Sequence, residues 1–218
     1  MRRIGTGRRS RIWLEVEELE AATDGALRAA GLYPGYDAGA VDIEALLEVH
    51  LGAAVDYAVD LPDTILGFTI FETPPRVAVS RRLTELALAP GASHGLLGRW
   101  RATLAHEAAH IILHAGLADE GVMTPQLTSE NLSAPEETTA NWLEVQANMG
   151  MAALLMPRGP FLFQARRALE AQPALLPVAR DSLQAERLVS ILAHQFSTSR
   201  EATGWRLRNL GWTVDKPA

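Results

Sequence analysis

The stretch from Ala102 to Gly116, ATLAHEAAHIILHAG, leaves the chain the fewest options. Helical spacing from about His94 to His114, with Gly116 as a stop, puts His106, Glu107, His110 and His114 on one helix. Residues four apart on an α-helix sit one above the other, about 6 Å apart, so the His106 and His110 rings can converge on one ion at about 2.0 to 2.1 Å from each nitrogen. Glu107 lies about 100° further round, where it cannot be a third ligand but can reach a metal-bound water as general base. His114 continues the series, yet it is about 12 Å along the axis from His106, so one ion cannot take both. It is assigned to packing or to hydrogen bonding around the site.

The third ligand has to come from elsewhere. The chain has no cysteine, which removes thiolate zinc sites, iron-sulfur clusters, thiol nucleophiles and disulfides together, so a metal would be held by His, Asp and Glu. Ser133 and Glu136 have the spacing of a capping box, with Pro135 in the first turn, so a helix is expected from there to Met156, where Pro157 stops it. Within it, WLEVQANMGMAALLMP (142–157) carries Glu144 and Asn148 one turn apart. Glu144 is the candidate third ligand. Asn148 is placed to accept a hydrogen bond from the far ring nitrogen of a ligating histidine. Two histidines and one glutamate, with water in the open position, make a catalytic rather than a structural site. Glu136 and Glu137 are assigned to the cap and the helix dipole.

The rest of the chain reads as α+β. Its 218 residues suit one domain, or one with a small appendage, and 48% hydrophobic with 21% charged residues suits a soluble globular protein. No stretch reaches the roughly 18 apolar residues of a membrane span. A net charge of −6 excludes a global basic field for nucleic acid. The opening, MRRIGTGRRSRIWLEVEELE, has no apolar signal core, so a cytoplasmic protein is expected. Arg2, Arg3, Arg8, Arg9 and Arg11 read as a disordered tail, with a phosphate-binding arm as the weaker reading.

A first helix is expected from Ser10 to Gly31, broken near Gly25, and a second from Asp42, as N-cap, to Leu51. Val55, Tyr57, Val59 and Leu61 alternate with smaller or polar residues. With ILGFTIFE (65–72) and RVAVS (76–80) they form a small antiparallel sheet, its connection stiffened by Pro74 and Pro75. A polar loop from Leu117 to Ser133 has the length of a functional segment and is a candidate lid. Beyond Phe161 two or three more helices follow, broken at Pro173 and Pro177.

HEAAHIILH, then E-x-x-A-N from Glu144 and ALLMP, resembles the ImmA/IrrE family of HExxH metallopeptidases, whose second motif reads E-x-E-A-N-x-F-A-x-x-L-L-M-P. DIEALLEVHLG and PPRVAVSRR extend the likeness, which runs from about residue 25 to residue 165. The resemblance implies a mostly helical, zincin-like metallopeptidase domain over 23–160, preceded by the basic tail and helix start (1–22) and followed by a helical, helix-turn-helix-like segment (161–218). Carried over residue by residue, it implies Zn2+ on His106, His110 and Glu144, Glu107 as catalytic base and Asn148 beside the ligands. Gln146 stands where the motif has its second Glu. Gly150 stands where an aromatic is usual, implying a repacked core filled by Met149 or Met151.

The implied activity is zinc-dependent regulatory cleavage of a protein partner, a helix-turn-helix transcriptional repressor, with a substrate strand pairing on the small sheet and no membrane partner. The alternative is a non-catalytic metal-containing regulator that binds a repressor or DNA. For DNA, Arg200, Arg206 and Arg208 would face phosphates, with Ser197 to Ser199 at the turn. The favoured reading packs Leu188, Leu192, Leu207 and Leu210 inward as a buttress. No substrate-binding residue is identified. Tyr57, His194 and a C-terminal arginine are candidates for stabilising an oxyanion.

Overall fold

The computed structural model describes residues 2–4, 11–37, 39–119, 126–128, 139–170 and 176–215. Its opening corrects the sequence reading: β1 (Arg2–Ile4) and β2 (Arg11–Trp13) pair antiparallel where an unordered tail and a helix start are expected. Arg8 and Arg9 lie outside the described residues. Helix α1 (Val16–Ala29) begins at a capping box, in which Glu18 reaches back to the Glu15 amide at 3.0 Å. It continues unbroken through Gly25, because the buried stripe Leu19, Thr23 and Leu27 outweighs a cost of about 1 kcal/mol for one helical glycine. Asp42 caps α2 as expected, its Oδ1 accepting from the Ala45 amide at 2.9 Å, and α2 runs as α-helix over Ile43–Ala45 and as a π turn over Leu46–His50.

The sheet is mixed rather than antiparallel. Strand β3 (Ala54–Val59) pairs parallel with β5 (Arg76–Ser80), which pairs antiparallel with β4 (Gly67–Ile70), and β4 pairs antiparallel with β6 (Gln126–Thr128). The order is β3-β5-β4-β6. After β3 the chain passes beyond the position of β5 to lay down β4, and β5 returns between them, so it runs the same way as β3. Period-two alternation marks a strand but not the direction of its neighbour. The inward residues Val77 and Val79 join the core, and Gly67 and Thr69 share the buried face of β4.

Helix α3 (Arg81–Leu88), which sequence reasoning missed, starts where the Ser80 hydroxyl accepts from the Leu83 amide. Helix α4 (His94–Asp119) passes through Gly116 instead of ending there. Leu104, Ala105, Ala108 and Ala109 are fully buried on one face, and Thr103, Glu107, His110, Ile111 and His114 are buried on the next, so α4 is enclosed on most of its circumference. Helix α5 (Thr139–Leu155) lies along it and ends before Pro157, as expected, while the capping box at Ser133 and Glu136 falls outside the described residues. Most of the candidate lid also lies outside them. The remaining helices are α6 (Arg158–Glu170), α7 (Leu183–Gln195) and α8 (Arg200–Asn209), with β7 (Val178–Ala179) pairing parallel with β8 (Thr213–Val214). Pro173 lies outside the described residues.

Two contacts fix how these layers meet. A Cβ on Gly150 would lie 2.8 Å from the Ala109 Cβ and 3.0 Å from the Leu113 Cδ1, so α5 approaches α4 as closely as only glycine permits. The space expected for Met149 or Met151 is taken by Ala109 and Leu113 themselves. The second contact is Arg206 on α8, which is 4% exposed. Its guanidinium forks onto Glu20 of α1 at 2.5 and 3.0 Å and donates to the Met156 carbonyl at 3.0 and 3.1 Å. Leu188, Leu192 and Leu207 are buried, and Phe196 packs on Phe161 with ring centroids 5.3 Å apart. Arg206 therefore holds the C-terminal helices to α1 and to the end of α5, while Arg200 and Arg208 remain exposed.

Replacing Arg206 with Ala strands the Glu20 carboxylate in the interior, and urea unfolding is expected to show a loss of about 3 to 5 kcal/mol. The paired change Arg206→Met with Glu20→Leu is expected to cost clearly less. Gly150→Ala is expected to lower stability by about 1 to 3 kcal/mol through overpacking against Ala109. Gly116→Ala, whose Cβ would meet nothing within 4 Å, is expected to be neutral or stabilising in the same measurement.

Candidate metal centre and active site

Helix α4 carries His106 and His110 on one face, and the close approach at Gly150 brings α5 near enough for Glu144 to face both. The His106 and His110 Nε2 atoms are 3.0 Å apart. Glu144 Oε2 is 3.0 Å from His106 Nε2, and Glu144 Oε1 is 3.3 Å from His110 Nε2. One ligand atom from each of the three residues lies within 4.8 Å of the others. Ligands arranged tetrahedrally at 2.0 to 2.1 Å from zinc are themselves about 3.3 Å apart, so the donor set fits a metal ion. The chemistry agrees with the spacing: two imidazole nitrogens and a carboxylate offer more lone pairs than the protons available to separate them, and a cation resolves that crowding. The His-His-Glu cluster can therefore hold a metal ion.

The electrostatics follow from burial and pairing. Burial opposes a charged His106, but its hydrogen bond to Glu144, with Glu107 and Asn148 nearby, outweighs this and raises its pKa above the usual imidazole value. Burial would raise the Glu144 carboxyl, but hydrogen bonds from His106 and His110 overcome it and bring the pKa down to about 2. His114 is pushed down to about 3, first by burial and then by His110, and is neutral.

Each expected site residue can now be placed. Asn148 stands on α5 one turn beyond Glu144, beside the His106 ring, whose charged form it favours. His114 is fully buried, its Nδ1 3.0 Å from His110 Nδ1 and its Nε2 3.1 Å from Gln146 Oε1. Glu107 is 4% exposed and points from α4 towards the sheet, where the Thr69 hydroxyl donates to its Oε2 at 2.8 Å. A Cβ on Gly67 would lie 2.9 Å from Thr103 Cγ2 and from the Ala78 carbonyl oxygen, so this glycine lets β4 lie directly on α4 beside Glu107.

Sequence reasoning missed Thr69 and Gln146. The only available signal for Thr69 was its inward position in the alternating strand, and for Gln146 its departure from the family motif. A cavity of about 250 Å³ opens over the cluster, lined by His106, Glu107, His110, Glu144, Asn148 and Arg99 together with Leu66, Ala102 and Met151. Neither Tyr57, nor His194, nor any of the C-terminal arginines Arg200, Arg206 and Arg208 lines it. The Tyr57 hydroxyl donates to Glu48, His194 stacks on His94, and Arg206 is committed to Glu20. Arg99, seven residues before His106 on α4, is the one cationic side chain lining the cavity among the described residues.

No helix among the described residues is long and apolar enough to cross a membrane. No curated protein matches the chain. The family model of peptidase family M78, described as the IrrE N-terminal-like domain, matches residues 96–208. That match takes in α4, α5 and the C-terminal helices through Arg208, and so covers all three residues of the cluster. With a match over more than half of its length, the chain belongs to peptidase family M78, the IrrE N-terminal-like peptidases.

Proposed function

We propose that this protein is a zinc-dependent regulatory endopeptidase that hydrolyses a peptide bond in a protein partner, a helix-turn-helix transcriptional repressor met in the cytoplasm. The observation that carries the peptidase reading is the juxtaposition of the His106, His110 and Glu144 donor set with a buried carboxylate, Glu107, on one cavity wall. The choice of a repressor follows from the family resemblance. His106, His110 and Glu144 would hold the zinc, which supplies Lewis acidity towards the scissile carbonyl and towards water. Asn148, beside the His106 ring, would orient that ligand.

Glu107 is the proposed catalytic residue. Thr69 fixes its Oε2, leaving Oε1 to take a proton from water and return it to the leaving amine. A carboxylate held at one oxygen enters the reaction with its rotamer already set, which removes an ordering cost from the proton transfer. Leu66, Ala102 and Met151 offer apolar contact to a substrate side chain, and Arg99 offers a cation at the same wall. Strand β4 has neighbours on both sides, β5 and β6, so a substrate strand pairing with this sheet would use the outer edge of β6 or β3.

Glu107→Gln is expected to keep the fold while lowering turnover of the partner by about 10² to 10⁴-fold. The full-length variant should capture the partner intact, and the wild type should release it shortened, as read by mass spectrometry. A partner that stays whole with both proteins would support the non-catalytic regulator instead. Thr69→Val is expected to lower kcat with KM little changed, with Thr69→Ser recovering most of the loss. A change in KM alone would remove Thr69 from the account of Glu107.

A further inference from the structure

We propose that Arg99 is a specificity-determining residue that pairs with an acidic side chain of the substrate, within about three residues of the scissile bond. This rests on the peptidase reading above and adds the class of sequence that the site accepts.

Arg99 and His106 are seven residues apart on α4, so they stand on one stripe of the helix, two turns and about 10 Å apart along its axis. Ala102 lies between them, and all three line the cavity. An extended peptide advances about 3.3 Å per residue. A substrate strand whose scissile carbonyl lies at His106, and which follows this wall towards the start of α4, therefore brings a side chain to Arg99 about three residues on. Leu66, Ala102 and Met151 make much of the remaining lining apolar.

Arg99 has no partner of its own. Among the described residues its guanidinium meets no acceptor. By contrast, Arg101 donates to the Val41 carbonyl at 2.6 Å, and Arg81 and Arg82 pair with Asp60 and Asp63 at 2.9 and 2.5 Å. Arg99 is exposed as well as lining the cavity, so an incoming side chain reaches it without displacing a protein group.

The charges around the cavity give the same sign. Glu107 and Glu144 carry two negative charges, which one divalent cation on the donor set balances. Arg99 is then the charge left over among the described lining residues. Apolar surroundings weaken the screening by water, so a carboxylate gains more here than on an open surface. A guanidinium can also hold it through two parallel N–H···O bonds. A lysine or arginine of the substrate at the same place meets a like charge and is disfavoured.

The probe is a library of random peptides, acetylated and amidated at their ends, offered to the full-length protein supplied with zinc. Mass spectrometry locates the cleaved bonds. Asp and Glu are expected about 10-fold more often than Lys and Arg at one position within about three residues of the cut. Arg99→Glu, first shown to unfold cooperatively, is expected to invert that ratio. Cleavage with no acidic preference, or with one that Arg99→Glu leaves in place, would overturn the proposal. Cleavage confined to a parallel library with free C-termini would assign the cation to a chain end and would also overturn it. Binding is read separately, on Glu107→Gln and on Glu107→Gln combined with Arg99→Glu, by sequencing the peptides that each retains. Acidic peptides on the first and basic ones on the second are the expected result, and the same peptides on both would count against Arg99. If the wild type cuts nothing while this selection holds in binding, the peptidase reading fails and the pairing at Arg99 stands.

Discussion

Everything at the candidate site depends on how closely α5 lies against α4. Two histidines one turn apart make half of a metal site on any helix, and what completes it is a carboxylate brought in from a second element. Gly150 allows that approach, because any side chain there would run into Ala109, the residue next to His110. The same contact places Gln146 against His114 and Asn148 against His106. One packing constraint therefore supplies the third donor and sets Gln146 and Asn148 beside the histidine row. On the other flank Gly67 does similar work, letting β4 rest on α4 so that Thr69 reaches Glu107.

The division between what was legible in the sequence and what was not follows the range of each interaction. His106, Glu107 and His110 are related by the helical repeat, and Glu144 and Asn148 by another turn, so local geometry and a motif were enough to name them. The strands at Gly67–Ile70 and Arg76–Ser80 and the Asp42 cap were legible for the same reason. The direction of β3 relative to β5 was not, because alternation carries no information about a neighbour. Gly25 and Gly116 misled for a related reason: a helical glycine costs only about 1 kcal/mol, which the buried stripe around Gly25 overrides and which does not stop α4 at the exposed Gly116. Thr69 meeting Glu107, Gln146 meeting His114 and Arg206 meeting Glu20 join residues far apart in sequence, where no periodicity connects them.

The C-terminal helices take a specific place in this account. The arginine that could have been read as a phosphate contact, Arg206, instead bridges α8 to α1 and to the carbonyl that closes the α5 helix. Helix α5 is thus held at Met156 by Arg206 and at Gly150 by α4, with Glu144 further along the same helix. A helix pinned at two points can present a buried carboxylate to two imidazoles without relying on the metal for its position, which is the condition for a preorganised site.

The most direct test of the central claim is the metal content of the purified chain, measured beside Glu144→Ala after both have been supplied with zinc and dialysed. About one zinc per chain in the wild type and little in the variant is the result expected of a centre built by His106, His110 and Glu144. A wild type that retains no zinc, or a variant that retains as much as the wild type, would contradict it.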